Sequence, residues 1–281
     1  MSLEGFRDFY RRYSKNRPAV AGLYIILFMV IVSIFAEKIA PYDYYELNAD
    51  EILQPPSAKH WMGTNNLGRD ILSGILVGSQ ISLFIGFMST GISAVLGTLV
   101  GAVAGYYGGN VDSILMRITE LFIVMPTFFL ILIVIAFFGS GIWNVMFIIG
   151  ITSWSGTARL VRSEILSLKN QEFIEAARAT GASDLRILSR HIIPNAVYPV
   201  IVSASMRVGG AISLESGLSF LGLGDPNHIS WGQLLTTAQR YMRVAWWVAA
   251  FPGLAILLGV LSFNLIGDGM NDALNPKLRK R

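Results

Sequence analysis

The chain has 281 residues, 53% of them hydrophobic and 14% charged, and its formal net charge is +4. Soluble globular domains carry about 25% charged residues, so the deficit points to an integral membrane protein rather than a soluble domain. The absence of cysteine excludes disulfides, thiolate metal sites and a catalytic thiol. The basic residues form no aromatic-interleaved patch of the kind that binds nucleic acid.

A helix crosses the bilayer core with about 20 predominantly apolar residues. The first such run, 18–36, opens at Pro18, where a missing N–H costs nothing. The basic head before it could mark a cleaved signal peptide. Against that, the run exceeds an h-region of roughly 7–15 residues, and Glu37-Lys38-Ile39-Ala40-Pro41 is a poor cleavage site. An outer segment, 37–80, follows, in which Ile71–Val77 reads as a short apolar helix lying at the surface. Residues 81–104, 121–138 and 142–161 are the next three spans, the last of them short in its apolar part. A polar stretch, 162–194, separates them from a fifth span at 197–214. A second outer segment, 215–245, is rich in Gly, Pro and Asn and predicts ordered turns. A sixth span at 246–266 leads into a tail, 267–281. The expected fold class is therefore an all-α membrane protein with six transmembrane helices. Gly97, Gly101 and Gly105 in the second span form a small-xxx-small pattern, which serves close helix packing within the chain or against a partner subunit.

Orientation follows from Lys and Arg outside the spans. With the N-terminus in the cytoplasm, the inner segments hold sixteen of the 22 basic residues and the outer segments five. The inner clusters are Arg7 to Arg17, Arg117, Arg159 to Arg190, and Lys277 to Arg281. Both termini are thus expected in the cytoplasm.

No catalytic constellation is present. His60, His191 and His228 are widely separated, and two distant outer histidines make a poor metal site. There is no GxxxxGK[ST] loop, so the chain has no such means of cradling a nucleotide phosphate. Active transport would need a partner or an ion gradient. Within the spans the clearest ionisable residue is Arg207, with Glu215 eight residues on and on nearly the same helix face. Arg207 either lines a translocation path or is a packing arginine satisfied by carbonyls or by Glu215.

The polar stretch EFIEAARATGASDLRILSRHIIPNA, Glu172 to Ala196, places Phe173, Ile174, Ala177, Leu185, Leu188 and Ile192 at helical spacing. Gly181 divides it into two short helices, Ser183 is a candidate N-cap for the second, and Pro194 is expected to end that helix before the fifth span. The result is a helix–turn–helix knuckle held at both ends by the membrane. It would rest on lipid headgroups or lie in a groove of another protein. Glu172 and Glu175 disfavour an anionic lipid surface.

Glu175-Ala176-Ala177, Gly181 and Ile193-Pro194 closely resemble the EAA loop of ABC importer permeases, EAA-x3-G-x9-I-x-LP. The spacing is kept, with His191 where the pattern has Ile and Ile193 where it has Leu. HWMGTNNLGRDILSGIL, ESGLSFLGLGDPNHISWGQLL, NLIGDGMNDALNPKLRK and RYSKNRPAVAGLYIIL resemble further signatures of the dipeptide/oligopeptide/nickel branch, in its C-type permease subunit. The resemblance implies a type I permease fold with a cytoplasmic coupling helix. It implies one half of a translocation path, completed by a second homologous permease. It also implies two ABC ATPase subunits on the cytoplasmic side, which use ATP and Mg, and an extracytoplasmic solute-binding protein. No cofactor is expected in this chain, and the location is the prokaryotic cytoplasmic membrane. On this resemblance Glu175, Ala176, Ala177, Gly181, Ile193 and Pro194 couple to an ATPase. Ala176 and Ala177 are small enough to seat deeply, and Gly181 supplies a turn that a side chain would obstruct, since only Gly takes φ > 0 freely. Segments 51–75 and 216–240 are candidates for docking the binding protein. Peptides are the expected cargo, with nickel and oligosaccharide as alternatives. A gradient-driven carrier acting alone and a scaffold subunit are the readings from other classes.

Overall fold

The computed structural model describes residues 3–274, so the basic cluster Lys277 to Arg281 lies outside it. The described residues form twelve α-helices and no strand beyond one isolated bridge between Thr64 and Asp70. They are α1 (Leu3–Tyr13), α2 (Arg17–Ile34), α3 (Ala36–Ile39), α4 (Ile71–Tyr107), α5 (Gly109–Val124) and α6 (Thr127–Phe138), followed by α7 (Ile142–Leu168), α8 (Glu172–Ala179), α9 (Asp184–Ile187), α10 (Ile193–Phe220), α11 (Trp231–Ala238) and α12 (Trp247–Leu274).

Four stretches are long and apolar enough to cross a membrane: α2, α4, α12, and the continuous run Asp184–Phe220 that contains α9 and α10. The α5–α6 pair makes a fifth as a broken span. The 27-residue α7 is long enough but less apolar, because Thr152, Ser155 and Thr157 lie on its buried face.

α2 starts where Asn16 caps it, its side chain accepting from the Ala19 N–H at 3.2 Å. It buries Ala19, Gly22 and Ile26 and leaves Tyr24, Leu27, Phe28 and Ile31 exposed, a one-sided burial that suits a helix facing lipid. Gly22 is required there, since a Cβ would stand 2.8 Å from the Ser262 carbonyl oxygen of α12.

The centre of the bundle is α4, 37 residues long. At 1.5 Å per residue it extends about 56 Å, well beyond a hydrocarbon core of about 30 Å. The separate surface helix expected at Ile71–Val77 does not exist: those residues are the first turns of α4. Asp70 caps them, accepting from the Ser73 N–H at 2.7 Å, and Gly78-Ser79-Gln80 contains nothing that breaks a helix. α4 packs against α7 through the glycine series. A Cβ on Gly97 would meet Thr157 Cβ at 2.5 Å, and one on Gly105 would lie 3.0 Å from the Arg162 carbonyl oxygen. The small-xxx-small face is thus used inside the chain.

The run 121–138, expected as one span, is broken. α5 and α6 meet at 87° around Met125 and Pro126. Proline removes a donor and drives the preceding residue out of the helical region, and Met125 has ψ 125°.

The two ends of α4 sort the remaining elements. At the Ile71 end lie segments 37–80 and 215–245: Trp247 Nε1 donates to the Thr64 carbonyl at 3.1 Å and Trp231 Nε1 to the Ile75 carbonyl at 3.0 Å. At the Tyr106 end lies the polar knuckle, in one apolar cluster with Ala102, Tyr106, Val161 and Ile165. α2 runs from Ala19, beside Gly269 of α12, to Ser33, whose carbonyl accepts from Gln80 Nε2 of α4 at 3.0 Å. Asn16 Nδ2 donates to Asp272 at 3.1 Å. The start of α2 and the end of α12 are therefore on the knuckle side.

Candidate functional site

Two places in the bundle hold the residues singled out by sequence. The first is the knuckle. α8 ends in a Schellman motif: the Gly181 N–H donates to the Arg178 carbonyl at 2.9 Å and the Ala182 N–H to the Ala177 carbonyl at 3.1 Å. Gly181 has φ +79° and no atom within 4 Å of the position a Cβ would take. Its glycine is required by backbone conformation, since nothing there would obstruct a side chain.

Ile174 is fully buried and anchors α8 among Ile187, Leu188 and Ile192. Ala177 and Ala182 complete that contact. Two members of the expected apolar stripe fall elsewhere: Phe173 and Leu185 are exposed, and Ile187, absent from the stripe, takes the buried place. Glu175 and Ala176 are also exposed. The outer face of α8 thus carries one apolar ring, the carboxylates of Glu172 and Glu175, and the small Ala176 and Ala179. Asp184 secures the knuckle to α4, accepting from the Tyr106 hydroxyl at 2.6 Å, with the Arg178 guanidinium 6.0 Å from the same ring.

Ser183 occupies the N-cap position of α9 but makes no side-chain capping bond. Pro194 does not end the second helix. α9 passes through a π-turn, Leu188–Ile192, directly into α10, and the Ile193 N–H reaches back to the Leu188 carbonyl. A proline ring clashes with the carbonyl four residues earlier, and widening the preceding turn relieves that clash without stopping the helix.

The second place is a cavity of about 130 Å³ between α4, α7 and α10, lined by Ser89, Thr90, Ser93, Ser153, Arg207 and Gly210 and by the apolar Ile149, Ala211 and Leu214. Arg207 Nη1 donates to the Ser153 carbonyl at 3.0 Å and Nε to Ser203 Oγ at 3.3 Å. Its Nη2 passes over Gly156, where a Cβ would stand 2.5 Å away. Thr90 Oγ1 and Ser93 Oγ are buried without a hydrogen-bond partner.

Glu215 is not paired with Arg207. It is buried near the outer end of α10, accepting at 2.7 Å from both Ser219 Oγ and Ser230 Oγ, with Ser216 at 3.5 Å. Ser230 also caps α11, accepting from the Gln233 N–H at 3.1 Å. Glu215 therefore ties the outer segment to α10. The outer histidines serve similar local roles with different partners. His60 lies between Asp70 at 2.9 Å and Glu51 at 3.1 Å, and His228 meets Asp225 at 2.9 Å. Asp225 in turn accepts from the Ile142 N–H at 2.9 Å, capping α7. Burial pushes the Asp225 carboxyl up, but the Asn227 and Ile142 N–H groups and His228 outweigh it and hold the carboxyl below its ordinary range.

Residues 97–280 match the family described as binding-protein-dependent transport system inner membrane component, and residues 6–56 match the N-terminal TM domain of oligopeptide transport permease C. The glutathione transport system permease protein GsiD of Pectobacterium atrosepticum is 44% identical over 278 residues, covering 98% of this chain and 92% of the relative. The dipeptide transport system permease protein DppC of Alkalihalophilus pseudofirmus is 39% identical over 275 residues, covering 98% and 90%. Among solved structures, an inward-facing MetNI methionine ABC transporter superposes with TM-score 0.57 at 20% identity, covering 70% of this chain and 94% of that one. An amino acid ABC transporter superposes with TM-score 0.52 at 14% identity, covering 75% and 93%. These likenesses give the fold as that of a type I ABC importer permease. The chain belongs to the binding-protein-dependent transport system inner membrane component family and is a multi-pass inner-membrane permease subunit of an ABC importer.

Proposed function

We propose that the chain is one of two permeases in an ATP-driven peptide importer and that the 172–194 knuckle receives the stroke of an ATPase. The observation that carries this is the outward display of Phe173, Glu175 and Ala176 on a helix anchored by Ile174 and closed by Gly181. α8 enters a cleft of the ATPase, Ala176 and Ala177 allow close seating, and Glu175 meets a polar or basic group. Ile193 and Pro194 carry the displacement into α10. ATP and Mg are bound by the two ATPase subunits, and this chain holds no cofactor. ATP-driven closure draws the knuckles together and turns the path from inward-open to outward-open. The knuckle end, with both termini, is cytoplasmic, and α7 is the fourth of six crossings. The segments around His60 and His228 receive the solute-binding protein, α2 faces lipid, and no nucleic acid takes part.

The peptide cargo is supported by the relatives, named for glutathione and dipeptide transport. The cavity agrees with it, since an unpaired guanidinium suits an anionic group better than a nickel ion or a neutral sugar. The test is gentle-detergent purification from the native membrane with all co-purifying chains identified, followed by uptake in vesicles. A second permease, P-loop ATPases and ATP-dependent peptide uptake are expected. Transport by this chain alone under an ion gradient, without ATP, would refute the proposal.

A further inference from the structure

We infer that the cavity at Arg207 is a carboxylate-binding station for the peptide in transit. The inference rests on the peptide-import proposal and deepens it by naming the substrate group that the membrane chain itself contacts. Arg207 lies in the middle of α10 and forms no ion pair among the described residues. A guanidinium has five N–H donors, and the chain engages Nε and one Nη1 hydrogen, so donors remain for a ligand. A cation held away from bulk water inside a membrane protein is costly unless an anion or a ring of acceptors meets it. The acceptors here are one carbonyl and one hydroxyl. The same cavity is lined by Thr90 and Ser93, whose Oγ1 and Oγ are buried and without a partner among the described residues. Two hydroxyl donors in one cavity with a guanidinium form a set that suits an oxyanion better than a metal cation.

The surroundings fit this use. Gly156 has no Cβ where Nη2 passes, and Gly210, on the cavity rim, is exposed with nothing within 4 Å of a Cβ position. Ile149, Ala211 and Leu214 complete the lining and keep it apolar, which strengthens each polar contact made there. The site can take a carboxylate and its adjoining atoms while side chains extend into the path. A free C-terminal carboxylate is common to all unblocked peptides whatever their side chains. A single station for it gives every such cargo the same foothold without selecting among sequences.

The experiment uses the complete transporter, with its partner permease, ATPases and binding protein, in proteoliposomes. A mixture of unblocked dipeptides is supplied and internalised peptide is read by mass spectrometry. ATP hydrolysis stimulated by the loaded binding protein is recorded in parallel. Arg207→Gln should lower uptake about tenfold or more, the scale of a lost charge-assisted contact. Arg207→Lys should stay within about threefold of wild type and Thr90→Val should fall between them, with ATP hydrolysis equal in all. Equal uptake by the Gln variant and wild type overturns the inference. So does a Lys variant as impaired as Gln, which marks a packing role. If wild type internalises no dipeptide, the peptide proposal itself fails and the inference with it. If wild type does internalise dipeptides and the Gln variant matches it, only the carboxylate station fails.

Discussion

Gly181 offers the most discriminating perturbation of the knuckle. Its φ of +79° lies in the left-handed region, and the space around a Cβ position is open to 4 Å. An L residue there costs about 1–2 kcal/mol through backbone strain. Asn and Asp are several-fold enriched at positive φ, whereas a β-branched residue is a genuine outlier. The loss should therefore follow strain rather than size, mildest for Gly181→Asn, larger for Gly181→Ala and largest for Gly181→Val. A cost of 1–2 kcal/mol lowers the population of the closed Schellman turn roughly 5–30-fold. The buried anchor Ile174 and the spans are untouched, so membrane insertion should be normal. The assay is ATP-dependent uptake per amount of inserted protein, with ATP hydrolysis measured alongside, and the expected signature is hydrolysis poorly converted into uptake. Greater loss for Asn than for Ala would show that side-chain bulk against a partner governs the position. Normal uptake with Val would remove the knuckle from the coupling path altogether.

Other perturbations test the bundle. Gly97→Val should destabilise by about 1–3 kcal/mol or more through overpacking against Thr157 and the Trp154 carbonyl, whereas Gly91→Ala, with nothing within 4 Å, should be neutral in a thermal melt of the purified complex. The Arg162–Asp112 pair, with contacts of 2.5 and 2.6 Å, joins α7 to α5. Asp112→Ala should cost about 1 kcal/mol, and the double variant with Arg162→Ala should melt no lower than the worse single; additive losses would deny the pairing. Asp225→Ala removes the cap of α7 and should cost about 1 kcal/mol. Because the folded-state carboxyl lies below its ordinary value, this contribution is present above the ordinary Asp range near about pH 3.9 and is lost as pH falls through the lowered value. The melting difference between wild type and Asp225→Ala should hence persist down to about pH 5 and collapse only as pH falls through the lowered value; its disappearance above about pH 5 would refute the assignment.

The features legible in the sequence were those set by local chemistry. Pro18 marks the start of α2, the glycines of α4 announce a close helix contact, and Gly181 demands positive φ. What escaped depended on partners distant in the chain. Ile71–Val77 reads as a surface helix because nothing local shows that Gly78 lies close to the Ser230 and Trp231 backbone. Arg207 and Glu215 share a helix face at eight-residue spacing, yet Ser153 and Ser230, on other elements, take them apart. Phe173 and Ile174 are adjacent apolar residues, and only the position of α8 over Ile187 decides that one is buried and the other displayed. The break at Pro126 was available from the sequence, since proline inside an apolar run predicts a bend or a stop. Pro194 shows the limit of that same rule, because the helix there accommodates the ring by a π-turn instead of ending.

These features converge on α10 and the short elements continuous with it. Ile187 binds the knuckle to the cluster at the Tyr106 end of α4. Arg207, 20 residues later and hence about 30 Å along the axis, faces the cavity. Glu215, about 12 Å further, holds Ser230 and with it the start of α11 beside the outer segments. Close packing supports the rod between these points: Gly86 of α4 accommodates Ile212, and Gly209 abuts Val260 of α12. Its least regular places, the π-turn and Pro199, both lie between α8 and Arg207. A displacement applied at α8 must pass through them before it reaches the cavity, whereas Arg207 and Glu215 are joined by unbroken helix. The cavity and the outer hub should therefore move as one body, with any bending confined to the stretch from Leu188 to Pro199.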